Sequence, residues 1–270
     1  MVISMDTRPI GVFDSGLGGL TAVSEIMRLL PGEEIVYFGD TARVPYGTRS
    51  KDTIMRYVRE DIDFLKTFNI KAVIMACGTA SSVSLPQIGE EYDIPIIGVV
   101  KPASIAATRA TRNDKIGIIG TPATIKSRSY EREILTLSPR AELHTAACPL
   151  FVPLVENGRT DPDDVVLFTM VEEYLTPIKN AGVDTLIMGC THYPIIERAI
   201  AAFLGDSVTL INPGLEAAKY LTADGGIERG SGDGSYRFFV SDDRDGFLEN
   251  ASKFLGGKLC GTVMLKEMEK

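Results

Sequence analysis

Tryptophan is absent from this chain, histidine occurs only at His144 and His192, and there are four cysteines in 270 residues. Thiols so sparse (Cys77, Cys148, Cys190, Cys260), in a chain of this length, make no disulfide framework and are expected to be reduced. Cys190-Thr191-His192 has the wrong spacing for a zinc knuckle and no second tight pair exists, so no metal is expected. Positive charge is also scarce: 28 Lys and Arg against 36 Asp and Glu give a net charge of -8, with no basic stretch interleaved with aromatics. That balance excludes a general attraction for nucleic acid. No apolar run approaches the roughly 20 residues that cross a bilayer, and Met1 to Pro9 lacks the basic start and apolar core of a signal peptide. A cytoplasmic protein with no membrane partner is expected.

What is present is an ordinary globular composition, 44% apolar and 24% charged. The length suits one large or two smaller domains, and two are preferred. Ile10 to Asp14 reads as a strand that runs through a glycine turn into a helix carrying Val23, Ile26, Met27 and Leu30, and Pro31-Gly32 ends it. Strand Glu34 to Phe38, the loop Gly39 to Gly47 and a helix from about Ser50 with Ile54, Val58, Ile62 and Leu65 on one face form the next unit. Strands follow at Lys71 to Ala76 and Ile94 to Val100.

The alternation restarts at strand Ile116 to Gly120, after which Thr121-Pro122 can cap and open a helix. Asp161-Pro162 is read as the same device before the helix of Leu167, Val171 and Leu175. Strand Thr185 to Met188, a helix near Pro194 and strand Val208 to Ile211 come next. Gly225 to Gly234 reads as a mobile surface loop. Strand Tyr236 to Val240, a helix through Phe247 and Phe254, a strand around Leu259 to Leu265 and a frayed tail Lys266 to Lys270 complete the chain. Near-continuous apolar strands separated by amphipathic helices mean parallel sheets covered on both faces.

Two phrases stand out. Lys71 to Ala76 delivers Cys77-Gly78-Thr79, and Thr185 to Met188 delivers Gly189-Cys190-Thr191-His192 about a hundred residues later. The echo suggests an internal duplication into two α/β halves. In open parallel sheets, ligands bind beyond the carboxyl ends of strands, and Asp14-Ser15, Asp40, Cys77, Thr121 and Cys190 all follow strands. Each taken alone is equally a capping or turn residue.

The turn Asp14 to Gly19 lacks both the Walker ending and the spaced dinucleotide fingerprint, which leaves a nucleotide site unsupported. Cys148 and Cys260 read as small hydrophobes. Cys77 and Cys190 have hydroxyl and imidazole company in Thr79, Thr191 and His192, which a thiol needs for acid or base work. Covalent hydrolysis by Cys190 with His192 competes with that reading but gives the second thiol no task.

Together, Phe13 to Gly19, Tyr37 to Gly47, Ala76 to Ala80 and Gly189 to Pro194 resemble the cofactor-independent glutamate racemases, in the order expected and over about Ile10 to Asn212. The resemblance implies a cytoplasmic isomerase that supplies D-glutamate for peptidoglycan, without a cofactor, and commonly a homodimer. It implies two pseudo-symmetric parallel-sheet α/β domains with the active site in the cleft between them. The division expected is residues 1–100 plus 213–270 for the first domain and 101–212 for the second.

It further implies that Cys77 deprotonates D-glutamate and Cys190 L-glutamate, each the acid in the reverse direction. Asp14 would assist Cys77, and His192 with Glu156 would assist Cys190. Substrate contacts carry over to Asp14, Ser15, Pro45, Tyr46, Gly47, Thr79, Thr121, Thr191 and His192. Gly78 stands where the family usually has Asn, so a glycine amide or a water would replace that side-chain contact. A racemase of another acidic amino acid such as aspartate, or a non-catalytic amino-acid-binding or regulatory protein on the same fold, remain as alternatives.

Overall fold

A computed structural model describes residues 6–223 and 232–268. Along the first stretch come β1 (Ile10–Asp14), α1 (Leu20–Leu29), β2 (Glu34–Gly39), α2 (Lys51–Lys66), β3 (Ala72–Met75), α3 (Gly78–Ile88), β4 (Ile96–Gly98) and α4 (Val100–Ala110). The alternation continues through β5 (Lys115–Gly120), α5 (Pro122–Ser127), α6 (Ser129–Leu137), β6 (Glu142–Ala147), α7 (Phe151–Glu156), α8 (Val165–Asn180), β7 (Thr185–Met188), α9 (Glu197–Leu204) and β8 (Thr209–Ile211). The chain closes with α10 (Pro213–Ala223), β9 (Ser235–Val240), α11 (Arg244–Leu255) and β10 (Thr262–Leu265).

All strand pairs are parallel, in one sheet ordered β10-β9-β2-β1-β3-β4 and another ordered β6-β5-β7-β8. Within each half the first four strands run second, first, third, fourth, so β1 corresponds to β5 and β3 to β7. This repeated order is the duplication that the two cysteine phrases announce. β1, β3 and β7 are buried from end to end because helices cover both faces, which is why their sequences show no polar alternation. Each Val, Leu or Ile so buried contributes about 1.5–3 kcal/mol of transfer free energy.

Several boundaries differ from the sequence reading. The strand expected at Ile94 to Val100 is only Ile96–Gly98, and Val99 is already helical, at φ -79° and ψ -16°. The apolar run continues because α4 buries Val100, Ala103 and Ala107, so apolarity alone does not separate strand from helix there. Asp161-Pro162 does not cap α8. Asp164 does, accepting from the amides of Val166 and Leu167, while Asp161 closes a turn onto the Asp163 amide. The segment at Pro194 is a 3-10 turn, Tyr193–Ile196, before α9.

The last strand begins at Thr262, and the Lys266 amide donates to the Val240 carbonyl, so residue 266 is held rather than frayed. Of the expected loop at Gly225 to Gly234, residues 225–231 lie outside the described residues. β6, half exposed with only mildly apolar residues, escaped the sequence reading altogether.

Candidate active site

The carboxyl ends of β1, β3, β5, β6 and β7 converge on a cavity of about 320 Å3 between the two sheets. Its walls include Ser15, Pro45, Tyr46, Gly47, Cys77, Gly78, Thr79, Thr121, Glu156, Cys190, Thr191 and His192, all among the site residues that the family resemblance implies. Cys77 and Cys190 reach it from equivalent strands of the two halves, at 5% and 8% exposure. Nothing in the primary sequence brings these ends together; two parallel sheets meeting at their carboxyl edges do.

Cys77 is the N-cap of α3, and its sulfur accepts from the Ala80 amide at 3.5 Å. The thiol itself donates toward Ser15 Oγ, also at 3.5 Å. Burial raises this thiol to about 12, and the adjacent Asp14 carboxylate adds to the rise against the Ala80 and Ser15 contacts. Cys77 is therefore a protonated thiol at neutral pH.

Cys190 has different company. Its sulfur lies 3.9 Å from His192 Nδ1, and His192 Nε2 lies 3.1 Å from Glu156 Oε1. Burial disfavours the imidazolium, but the hydrogen bonds with Cys190 and Glu156 and their charges prevail and raise His192 to about 10. The ring is also held edge-on by Phe254, 5.4 Å between centroids. At neutral pH a cation thus stands beside the Cys190 sulfur.

A stability prediction follows. A histidine raised from 6.5 to about 10 stabilises the fold fully below pH 6.5, and that contribution is lost as pH rises toward 10. Urea unfolding at pH 6, 8 and 10 is expected to show the wild type losing stability with rising pH more steeply than His192→Gln. Parallel curves would remove the ion pair from the account.

Asp14 lies behind the cavity rather than in its wall. Its carboxylate accepts from the Gly16 amide at 3.0 Å and from Thr191 Oγ1 at 3.5 Å, so it touches the half that carries Cys190. Burial raises its pKa, opposed by the His192 charge and the amides of Gly19 and Gly16. Thr191 Oγ1 also lies 3.4 Å from His192 Nδ1, and the Thr191 carbonyl accepts from Thr21 of α1 at 2.9 Å. Thr79 and Thr121 share a hydrogen bond of 2.9 Å across the two halves. The Tyr46 hydroxyl points away from the cavity, to Asp40 and Asp61, so the ring and backbone of Tyr46 are what face a ligand. Those two carboxylates also hold buried Arg43, anchoring the loop that carries Pro45 to Gly47.

Two glycines make the approach of the halves possible. A Cβ on Gly18 would lie 2.6 Å from the His192 ring, and one on Gly78 would collide with the Gly189 carbonyl. Sequence reading missed one wall residue of chemical interest, Cys148. It is fully buried as expected of a small hydrophobe, yet it lines the cavity just beyond β6. Recognising β6 as a strand would have marked Cys148 as a strand-end residue. Among the described residues, no group of three or more His, Cys, Asp or Glu could hold a metal, and no helix is long and apolar enough to cross a membrane.

A scaffold of two parallel-sheet α/β units is the architecture that comparison with known proteins also returns. The family model of Asp/Glu/Hydantoin racemases matches residues 15–221, and the chain belongs to that family of isomerases. The similarity narrows further at full length. The chain is 44% identical to the glutamate racemase of Geobacter metallireducens, over 94% of this chain and 95% of that one. It is 43% identical to the glutamate racemase of Streptococcus mutans, covering 93% and 96%. The crystal structure of a Bacillus anthracis glutamate racemase superposes with a TM-score of 0.90 at 38% identity, covering 97% of this chain and 98% of that one. The Francisella tularensis glutamate racemase in complex with D-glutamate gives 0.89 at 36%, with the same coverage. An aspartate racemase from Picrophilus torridus, at 18% identity, shares the fold alone.

Proposed function

We propose that this chain interconverts L- and D-glutamate by direct proton transfer at the α-carbon, supplying D-glutamate for peptidoglycan. The observation that carries the reading is the pair of thiols, one from each half, on a single cavity. Inversion requires a base on one face of the α-carbon and an acid on the other, and two opposed groups of matched chemistry suffice for both directions.

The two environments divide the roles. Cys190, beside the His192 imidazolium, is the base that takes the α-proton of L-glutamate; protonated Cys77 gives a proton to the opposite face. In the reverse direction Cys77 acts as base. The ammonium group of bound substrate would ease ionisation of Cys77 by adding a positive charge near a buried thiol. Asp14 steadies the Cys77 side, and Glu156 holds His192 in its charged form.

Ser15, Thr79, Thr121, Thr191 and the amides around Pro45, Gly47 and Gly78 bind the two carboxylates and the ammonium. Preorganised donors of this kind also stabilise the carbanionic transition state. The halves that close on the substrate are taken as 1–100 with 213–270, and 101–212. A homodimer in the cytoplasm completes the reading, and sedimentation equilibrium tests the assembly.

Incubation with L-glutamate in heavy water is expected to place deuterium at the α-carbon of the product D-glutamate. Absence of both deuterium and the D-isomer would remove this activity. Aspartate run in parallel tests the alternative substrate, and its preference over glutamate would reverse the assignment.

A further inference from the structure

We propose that Asp61 is carried as the neutral acid and, through the Tyr46 hydroxyl, positions the loop Pro45 to Gly47 for substrate, a role that rests on the racemase function proposed above. Asp40 and Asp61 have no exposed surface, and Arg43, the cation they share, is buried with them. Arg43 Nε donates to Asp40 Oδ2 at 2.6 Å and Nη2 donates to Asp61 Oδ1 at 2.9 Å, while Nη1 is spent on partly exposed Glu60. Asp40 Oδ1 accepts from Ser241 Oγ at 2.9 Å, just beyond β9.

The Tyr46 oxygen lies between the two carboxyl groups, bonded to Asp40 Oδ2 on one side and 2.9 Å from Asp61 Oδ2 on the other. A phenol has one proton to donate. Burial and the two acidic neighbours push the Tyr46 hydroxyl up, so it keeps that proton at neutral pH. One carboxylate is satisfied by it; the other contact is a hydrogen bond only when that carboxyl group carries a proton and donates it to the Tyr46 oxygen. Asp61 is the one, because its Oδ2 meets no other donor among the described residues, whereas Asp40 Oδ2 already accepts from Arg43. Each proton then has one acceptor: Asp61 donates to Tyr46, and Tyr46 donates to the Asp40 carboxylate.

Charge balance agrees. One carboxylate beside one guanidinium leaves the buried set neutral, and a second would bury a negative charge without a partner of its own. Burial raises Asp61, and the Asp40 charge adds to the rise against Arg43 and Tyr46. The link reaches the site because Pro45, Tyr46 and Gly47 line the catalytic cavity while the Tyr46 hydroxyl is fastened outside it. Gly47 also stands against the other half, where a Cβ on it would come 3.3 Å from Thr121. A loop released from α2 therefore loosens the wall at the place where the halves meet.

Asp61→Asn preserves the arrangement, since an amide nitrogen donates to Tyr46 and an amide oxygen accepts from Arg43. Asp61→Ala is expected to raise KM for both enantiomers about tenfold or more with a smaller change in kcat, as displaced binding groups require, and Asp61→Asn to return KM to within about threefold of wild type. Tyr46→Phe, which keeps the ring and cuts the link, should match Asp61→Ala and stands in for it if that variant does not fold. Urea unfolding of the full chain without substrate reads the proton itself. A carboxyl group raised on folding adds stability that is complete below its unfolded value of about 4 and is lost as pH rises through the folded value. From pH 5 to pH 8 the unfolding constant of the wild type should therefore climb relative to Asp61→Asn, by up to about tenfold per pH unit, the limit for one proton. The groups facing Asp61 are Asp40, Arg43 and Tyr46 from the loop and Glu60 from its own helix. Helix α3, packed on α2, has no titratable residue, Asp14 of β1 and Tyr37 of β2 bond to Gly16, and Glu34 pairs with Arg237. A ratio that stays flat from pH 5 to pH 8 overturns the neutral acid. A wild-type KM in folded Asp61→Ala or Tyr46→Phe, or a KM in Asp61→Asn as poor as in Asp61→Ala, overturns the positioning role. Absence of D-glutamate from wild-type incubations strikes the racemase function instead and leaves the unfolding comparison in force.

Discussion

Cys77→Ser and Cys190→Ser are each expected to lower racemisation by about 10³-fold or more, because acid or base catalysis by a positioned group is worth roughly 10²–10⁴ and a serine hydroxyl is a far weaker acid than a thiol. The loss should differ in character between the two. With Cys190 replaced, removal of the α-proton from L-glutamate stops, while Cys77 can still exchange the α-proton of D-glutamate with solvent on its own face. With Cys77 replaced, exchange survives only on the L side, where His192 and Glu156 still support Cys190. Following α-deuterium wash-in separately for each enantiomer, alongside net racemisation, reads these partial reactions. Unchanged turnover in either serine variant would rule out a mechanism with one thiol per face. Both side chains are small and nearly enclosed, so the exchange of sulfur for oxygen should alter the fold little.

Asparagine at position 78, the residue usual in the racemases this chain resembles, is expected to impair this particular protein rather than improve it. The Cβ it introduces would meet the Gly189 carbonyl oxygen and come within 3.7 Å of the Cys190 Cα, both backbone positions of the opposite half. Neither can swing aside as a side-chain tip would, so the halves must part or the turn at Cys190 must shift. Overpacking of this sort costs about 1–3 kcal/mol in stability. A displacement of the Cys190 thiol by even about 1 Å can cost on the order of 10²-fold in rate. Gly78→Ala should reproduce most of the effect, since the collision begins at Cβ. Denaturant unfolding and the kinetics of both enantiomers check it together. If Gly78→Asn matches the wild type in midpoint and in kcat/KM, the glycine is not setting the spacing of the halves. An aspartate assay on the same variants tells whether that spacing also governs the length of substrate accepted.

Much of this protein is written locally in its chain. The buried strands Ile10–Asp14, Ala72–Met75 and Thr185–Met188 announce themselves as short apolar runs ending in small polar residues. Wherever those runs stop, chain direction alone puts Asp14, Cys77 and Cys190 at carboxyl edges of parallel strands. Local reading failed where one pattern fits two structures: the apolar run at Val99-Val100 passes from strand into buried helix, and half-exposed β6 lacks the period of either. It failed again at Asp161, where two later aspartates compete for the same capping task and Asp164 prevails.

By itself, then, the sequence determined the residue types, the repeated α/β unit and the strand ends from which chemistry would be presented. Only the tertiary structure decided that the two units face each other across one cavity, that the Tyr46 hydroxyl turns outward to Asp40 and Asp61, and that Cys148 joins the wall. It also decided the different surroundings of the two thiols. Ionisation depends on burial and on charges brought close from far along the chain: Asp14 beside Cys77, and Glu156 behind His192 and Cys190. Those distances arise only when the sheets pack, because no local spacing in the chain encodes them.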